Sequence, residues 1–185
     1  GRYGKGKYFI AEADEYVTCP ETDSTPRFLW QSPEYIILTN IDYDHPDVFD
    51  STEDLSRAYE VFFKQSEYLI VCSDSNLAME TAKRSGVQFD SYGFMQDAKV
   101  RIINHEVSAT GSTFDLLYGD KMIEEIGISL YGDHNILNAT GVFLVLRRLG
   151  FEETKIKQVL KGFTGAKRRF EVTYNKDGLT LVDDY

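Results

Sequence analysis

Short apolar runs alternate with helical periodicities over the first half of this chain, and strictly strand-like runs follow. Tyr8-Phe9-Ile10-Ala11, Ile36-Ile37-Leu38, Tyr68-Leu69-Ile70-Val71-Cys72 and Val87-Gln88-Phe89 are brief and uninterrupted. Such runs suit strands buried on both faces of a parallel sheet. Leu55, Tyr59, Phe62 and Phe63 recur at helical spacing, which predicts a helix over about 52–65 and marks these residues as core. Ser51 or Thr52 caps it, and Glu53 and Asp54 in its first turn suit the helix dipole. A second helix is predicted over Asn76–Ser85, closed by Gly86. Residues 16–33, with Pro20, Pro26 and Pro33, read as a long loop.

From about residue 98 the pattern changes. Val100–Val107, Ser112–Tyr118 and Met122–Ile128 alternate as three strands, with Gly111 and Gly119-Asp120 at the turns. A strongly apolar helix opens near Asn135 and runs to Gly150, and another covers about 152–161. Val172–Tyr174 and Leu179–Val182 flank Asp177-Gly178 as a hairpin. The fold class expected is α/β: a mostly parallel sheet flanked by helices, with a smaller antiparallel β-meander over about 98–129.

Composition narrows the function classes. Hydrophobic content of 42% in 185 residues argues for one large domain or two small ones rather than disorder. A formal charge of −10 disfavours a nucleic-acid binder, yet leaves nucleotide binding open, because a metal ion can bridge carboxylates to phosphates. No run is long enough to span a membrane, so no membrane insertion is expected. Cys19 and Cys72 form no CxxC, and a reducing cytoplasmic compartment is expected.

Candidate chemistry gathers where apolar runs turn polar. Ile36-Ile37-Leu38-Thr39-Asn40-Ile41 leads into Asp42-Tyr43-Asp44-His45-Pro46-Asp47, which holds three acids and one of three histidines. The run at about 8–13 ends in Glu12-Ala13-Asp14-Glu15, and the chain closes on Asp183-Asp184-Tyr185. Two adjacent parallel strands ending in acids would place a carboxylate cluster at one sheet edge; the alternative is solvated loop charge. Asn135 and Asn138 are three apart and share a face in the first turn of their helix, as a recognition surface or as caps. Lys167-Arg168-Arg169 is the densest basic spot, suited to phosphates or to a solvated turn. His105 sits inside a strand with no polar company in sequence, which favours a structural role. Gly1–Lys7 matches GxxxxGK, but Tyr8 stands where a P-loop has Ser or Thr, and a strand rather than a helix is expected to follow.

In this order, Glu12-Ala13-Asp14-Glu15, Thr39–His45, His134-Asn135-Ile136-Leu137-Asn138-Ala139, Arg168-Arg169-Phe170-Glu171 and Asp183-Asp184-Tyr185 resemble the Mur ligase family. The resemblance implies a central ATP-binding domain over 1–185, cut from a longer enzyme with a UDP-binding domain before it and a further domain after. It implies an ATP- and Mg2+-dependent ligase of peptidoglycan precursor synthesis in the cytoplasm, forming an amide bond through an acyl phosphate. The nearest branch is the one that joins L-alanine to UDP-N-acetylmuramate. A tripeptide-recycling branch carries similar motifs, and a non-catalytic domain of this fold is a further alternative. A folylpolyglutamate synthase is disfavoured by the wording of the Glu12–Glu15 motif. By the same resemblance Glu12 and His45 hold magnesium, Asn135 and Asn138 meet adenine, Arg169 meets the nucleotide phosphates, and Asp184 lies near the nucleotide. Several branches carry a carbamylated lysine after the strand-end histidine. Ala58 and Tyr59 fall near that place here, as suits the L-alanine branch. Without a P-loop lysine in the usual context, the chain alone is expected to be inactive.

Overall fold

The computed structural model describes residues 4–108, 110–166 and 171–184. A six-stranded sheet runs in the order β3-β4-β5-β6-β7-β8, built from Tyr35–Leu38, Tyr68–Cys72, Phe89–Gly93, Val100–Ser108, Gly111–Tyr118 and Lys121–Ile128. The pairings from β3 to β6 are parallel, and those from β6 to β8 are antiparallel. The predicted antiparallel meander is present and continues the parallel sheet at β6. Helices α1 (Thr52–Phe63) and α2 (Asn76–Ser85) cover one face, and α3 (Asp133–Arg148) and α4 (Glu153–Gly162) cover the other.

Strand β4 shows why its sequence is an unbroken apolar run. Tyr68, Ile70 and Cys72 enter the core beneath α3 and α4, while Leu69 and Val71 enter the core beneath α1 and α2. No residue of β4 is more than 4% exposed. Helix α3 lies close on the sheet at Gly141, where a Cβ would come within 2.7 Å of Ile37 Cγ2 and 3.0 Å of the Tyr92 hydroxyl. Helix α1 begins where Ser51 Oγ accepts from Asp54 N, and α2 ends on Gly86 with φ +72°. Arg84 of α2 clasps Glu53 and Glu60 of α1.

Residues 8–15 form no strand, contrary to expectation. Phe9 and Ile10 are 91% and 92% exposed. A strand needs a neighbour's backbone groups, and among the described residues no strand pairs with this run. The loop over 16–33 holds structure that its sequence did not suggest: a hairpin of β1 (Val17–Cys19) and β2 (Asp23–Pro26), then a 3-10 helix over Arg27–Trp30 that buries Phe28. The expected hairpin near the end is present as β9 (Glu171–Lys176) and β10 (Leu179–Asp183). His105 on β6 is not without polar company, since Asp133 Oδ1 lies 3.9 Å from its Nε2 and Phe94 packs on its ring.

One carboxylate sets the register of the meander. Asp115 Oδ2 accepts from Asn104 Nδ2 and Asp115 Oδ1 from Glu125 N, both at 2.8 Å. Asn104 and Glu125 have φ of +50° and +57°, and the register shifts beside each of them.

At the end of β5 the backbone has little freedom. Gly93 has φ +155°, and a Cβ there would lie 1.8 Å from Asp74 Oδ2, which accepts from Phe94 N. Gly93→Ala is expected to lower unfolding stability by roughly 1–3 kcal/mol. Urea denaturation checks this, with an unchanged slope marking a native-state effect. A loss within about 0.5 kcal/mol would show that the Asp74 turn absorbs the methyl.

Candidate functional site

The turn after β3 carries His45. Ile41 and Phe49 anchor it, 4% and 6% exposed, and the His45 carbonyl accepts from Val48 N and Phe49 N, both at 3.0 Å. Tyr43 donates its hydroxyl to the Phe49 carbonyl at 2.8 Å. Facing this turn is the 12–16 segment, which is braced from the other side. Asp14 accepts from Tyr16 N and from Arg27 Nη1, both at 2.9 Å, and the Glu12 carbonyl accepts from Gln31 Nε2 at 3.2 Å. The 3-10 helix and its flanks thus hold in place a segment that no sheet holds.

Between the two lies a cleft of about 220 Å³ lined by Glu12, Ala13, Asp14, Glu15, Tyr16 and His45. The structure therefore brings Glu12 and His45 to one site, although Glu12 does not sit at a strand end. It also brings in Glu15 and Tyr59. Glu15 Oε2 is 3.2 Å from His45 Nε2, and the Tyr59 hydroxyl donates to Glu15 Oε1. Tyr16 packs against the His45 ring at 4.8 Å between centroids. The sequence marked Glu15 only as part of an acidic motif, and Tyr59 as core and, with Ala58, as standing near the place of the lysine other branches carry. The one signal in the sequence was the hydroxyl itself, because a buried Tyr among Leu and Phe needs a partner for its O–H.

Among the described residues no cluster of three His, Cys, Asp or Glu side chains is placed to hold a metal alone. The donor set still fits magnesium, which takes one or two protein ligands and fills its remaining positions with phosphate oxygens and water. Glu12 offers an exposed carboxylate and His45 a ring nitrogen not shared with Glu15.

A second cleft, of about 310 Å³, opens beside the start of α3. Asn135 and Asn138 stand on it, over an apolar floor from Ile128, Leu130, Val142 and Phe163. Their shared face, expected from the spacing, is borne out. Asn135 also braces the backbone, since its Nδ2 donates to the Tyr131 carbonyl at 2.8 Å and lies 3.0 Å from His134 Nε2. The N-cap of α3 is Gly132, with no side-chain cap, so Asn135 ties the start of the helix from within. A mostly apolar cleft lined by two amides suits a heteroaromatic ring. Asp184 follows β10 and is not among the residues lining either cleft. Arg169 lies outside the described residues. Residues 4–7 are an exposed turn with no helix after them, so the glycine-rich start does not have the surroundings of a P-loop.

The sequence profile of the Mur ligase middle domain matches residues 5–146. The UDP-N-acetylmuramate–L-alanine ligase of Streptococcus gordonii is 36% identical over 190 residues, which takes in 100% of this chain and 40% of that protein. The chain thus spans about two fifths of the length of the curated relatives it matches. Among solved structures, the UDP-N-acetylmuramate-alanine ligase of Thermotoga maritima superposes with a TM-score of 0.73 at 22% identity, covering 83% of this chain and 35% of that one. The UDP-N-acetylmuramate:L-alanyl-gamma-D-glutamyl-meso-diaminopimelate ligase of Neisseria meningitides gives 0.72 at 22%, covering 85% and 48%. These two share the fold.

Burial, and then the neighbouring Glu15 carboxylate, push the Tyr59 phenol far above its usual range; burial does the same to Tyr92. Both phenols stay neutral in the folded chain at a pH where they would ionise in the unfolded chain. Their contribution is complete below about pH 10 and is lost as pH rises beyond it. Unfolding free energy is expected to fall by about 1.4 kcal/mol per pH unit for each phenol above that point. Tyr59→Phe should remove one phenol's share of the slope in denaturant titrations between about pH 10 and 12. An unaltered slope would mean that Tyr59 ionises freely in the fold.

Proposed function

The chain belongs to the Mur ligase family, and from that premise we propose that it is the ATP-handling middle portion of a cytoplasmic ligase that joins L-alanine to UDP-N-acetylmuramate. The observation that carries the site reading is the convergence of Glu12 and His45, far apart in sequence, on one acidic cleft. Similarity along nearly the whole of this chain to relatives named for the L-alanine reaction supports that substrate over the tripeptide-recycling reaction.

In the proposed reaction a carboxylate oxygen of the muramyl substrate attacks the γ-phosphorus of ATP, and ADP leaves. The alanine nitrogen attacks the resulting acyl phosphate, phosphate departs, and the nitrogen gives up a proton. Glu12 and His45 would hold Mg2+, which would supply neutralisation of the charge on the transferring phosphoryl group. The chain's own side chains position more than they react. Asn135 and Asn138 would meet the base with their amides, and the apolar residues of their cleft would pack on it. Arg169 neutralises the nucleotide phosphates by guanidinium geometry. Asp184, by the family's motif order, would lie near the nucleotide.

ATP with Mg2+ is expected to bind the isolated chain weakly. Asn138→Ala and Arg169→Ala should each weaken binding about tenfold by calorimetry. Equal binding by all three proteins would sink the nucleotide assignment. The chain alone is expected to release no phosphate when mixed with ATP, Mg2+, L-alanine and UDP-N-acetylmuramate, because no described lysine stands in the surroundings of a P-loop. Turnover in that assay would refute this.

A further inference from the structure

Glu15 holds the acidic cleft to the core. Tyr59 donates to its Oε1, and its Oε2 lies 3.2 Å from His45 Nε2. Tyr59 is not free to wander. It is 6% exposed on α1, its ring stacks on Phe28 at 5.0 Å and 14°, and Phe63 packs against it. The direction of its hydroxyl is therefore set by the hydrophobic core, and it fixes the Glu15 carboxylate in turn. His45 is confined as well, with 19% side-chain exposure and Tyr16 against its ring.

A carboxylate oxygen offers only lone pairs, so with Glu15 Oε2 3.2 Å from Nε2 a neutral His45 ring is favoured with its proton on Nε2. A neutral imidazole has one N–H and one lone pair. With the proton on Nε2, the lone pair is on Nδ1. Imidazoles that bind metals are neutral, and they commonly donate their other N–H to a carboxylate, which fixes tautomer and ring orientation.

We propose that Glu15, oriented by Tyr59, is a positioning residue that locks His45 in its Nε2–H tautomer and so reserves Nδ1 for the bound cation. This rests on reading Glu12 and His45 as the metal-holding pair. It adds a direction: the core of the domain, through Tyr59 and Glu15, decides which ring nitrogen the site presents. A merely structural link between α1 and the 12–16 segment would stop at the Tyr59–Glu15 bond and leave the imidazole tautomer unaffected.

The test uses the whole chain labelled with 15N-histidine. With three histidines, His45→Gln assigns the His45 ring signals. At about pH 8, where an ordinary imidazole is neutral, wild type is expected to show a protonated Nε2 and an unprotonated Nδ1. Glu15→Ala should give mixed tautomers and weaken Mn2+ binding, read from paramagnetic broadening of those signals, by about tenfold or more. Tyr59→Phe removes one hydroxyl from an otherwise intact core and should shift the same two readouts in the same direction by less. Glu12→Ala should abolish Mn2+ broadening and leave the tautomer as in wild type. A Glu15→Ala chain that keeps the Nε2–H tautomer and binds Mn2+ within about twofold of wild type overturns the role of Glu15. Mn2+ broadening indifferent to Glu12→Ala overturns the metal pair instead, whatever Glu15→Ala does to the tautomer.

Discussion

Burial of β4 on both faces is the constraint on which the rest of the molecule depends. A strand with apolar side chains on each side needs a ladder partner along each edge and a helical layer above and below. β3 and β5 supply the first, and the helix pairs α1/α2 and α3/α4 supply the second. Once the strands run parallel, their carboxyl ends share one edge, and the loops that leave that edge are brought together. His45 stands in the loop after β3, and the Ser73-Asp74 and Gly93-Phe94 turns follow β4 and β5. The cleft exists because the sheet delivers that first loop to the place where the 12–16 segment crosses.

Much of this frame was legible in the sequence because it is written in local periodicity. The α1 and α2 boundaries follow from Ser51, Gly86 and the spacing of Leu55, Tyr59 and Phe62. The unbroken run at 68–72 could bury only as a central strand. The strand expected at 8–13 failed for a non-local reason. Its apolarity is real, but pairing requires a neighbour, and Phe9 and Ile10 have none among the described residues. The β1/β2 hairpin was hidden because strands of three and four residues, rich in Thr, Ser and Asp, leave no alternation to read. Of the residues lining the two clefts, Glu12, His45, Asn135 and Asn138 were reachable through motif order. The link from Tyr59 through Glu15 to His45 was not, because it joins residues 44 positions apart on a helix and a loop.

The acidic cleft also shows how a chain of charge −10 gathers carboxylates without scattering them. Asp14 is matched by Arg27, and Glu15 by a phenol and an imidazole. Asp42 accepts from the backbone of Tyr43. Each of these acids has a local hydrogen-bond donor. Glu12 is the exposed acid of the cleft, with its carbonyl rather than its carboxylate tied down by Gln31. Repulsion within the group is thus relieved by donors from the scaffold, and the carboxylate facing solvent is the one available to an incoming cation.

The Asp115 carboxylate, bonded to bulged positions on both neighbouring strands, bears on how the chain finds its fold. Strands β6, β7 and β8 follow one another through tight turns, so their loop closure costs little entropy, whereas β3 reaches β4 only across all of α1. Local hairpins form readily and also slip readily, and a slip of one residue would turn the buried faces of Phe114, Leu116 and Ile126 outward. Such a slip would also strand Asp115 away from both donors. The meander therefore carries an internal ruler, which penalises misaligned pairing before the slower parallel half has docked against it.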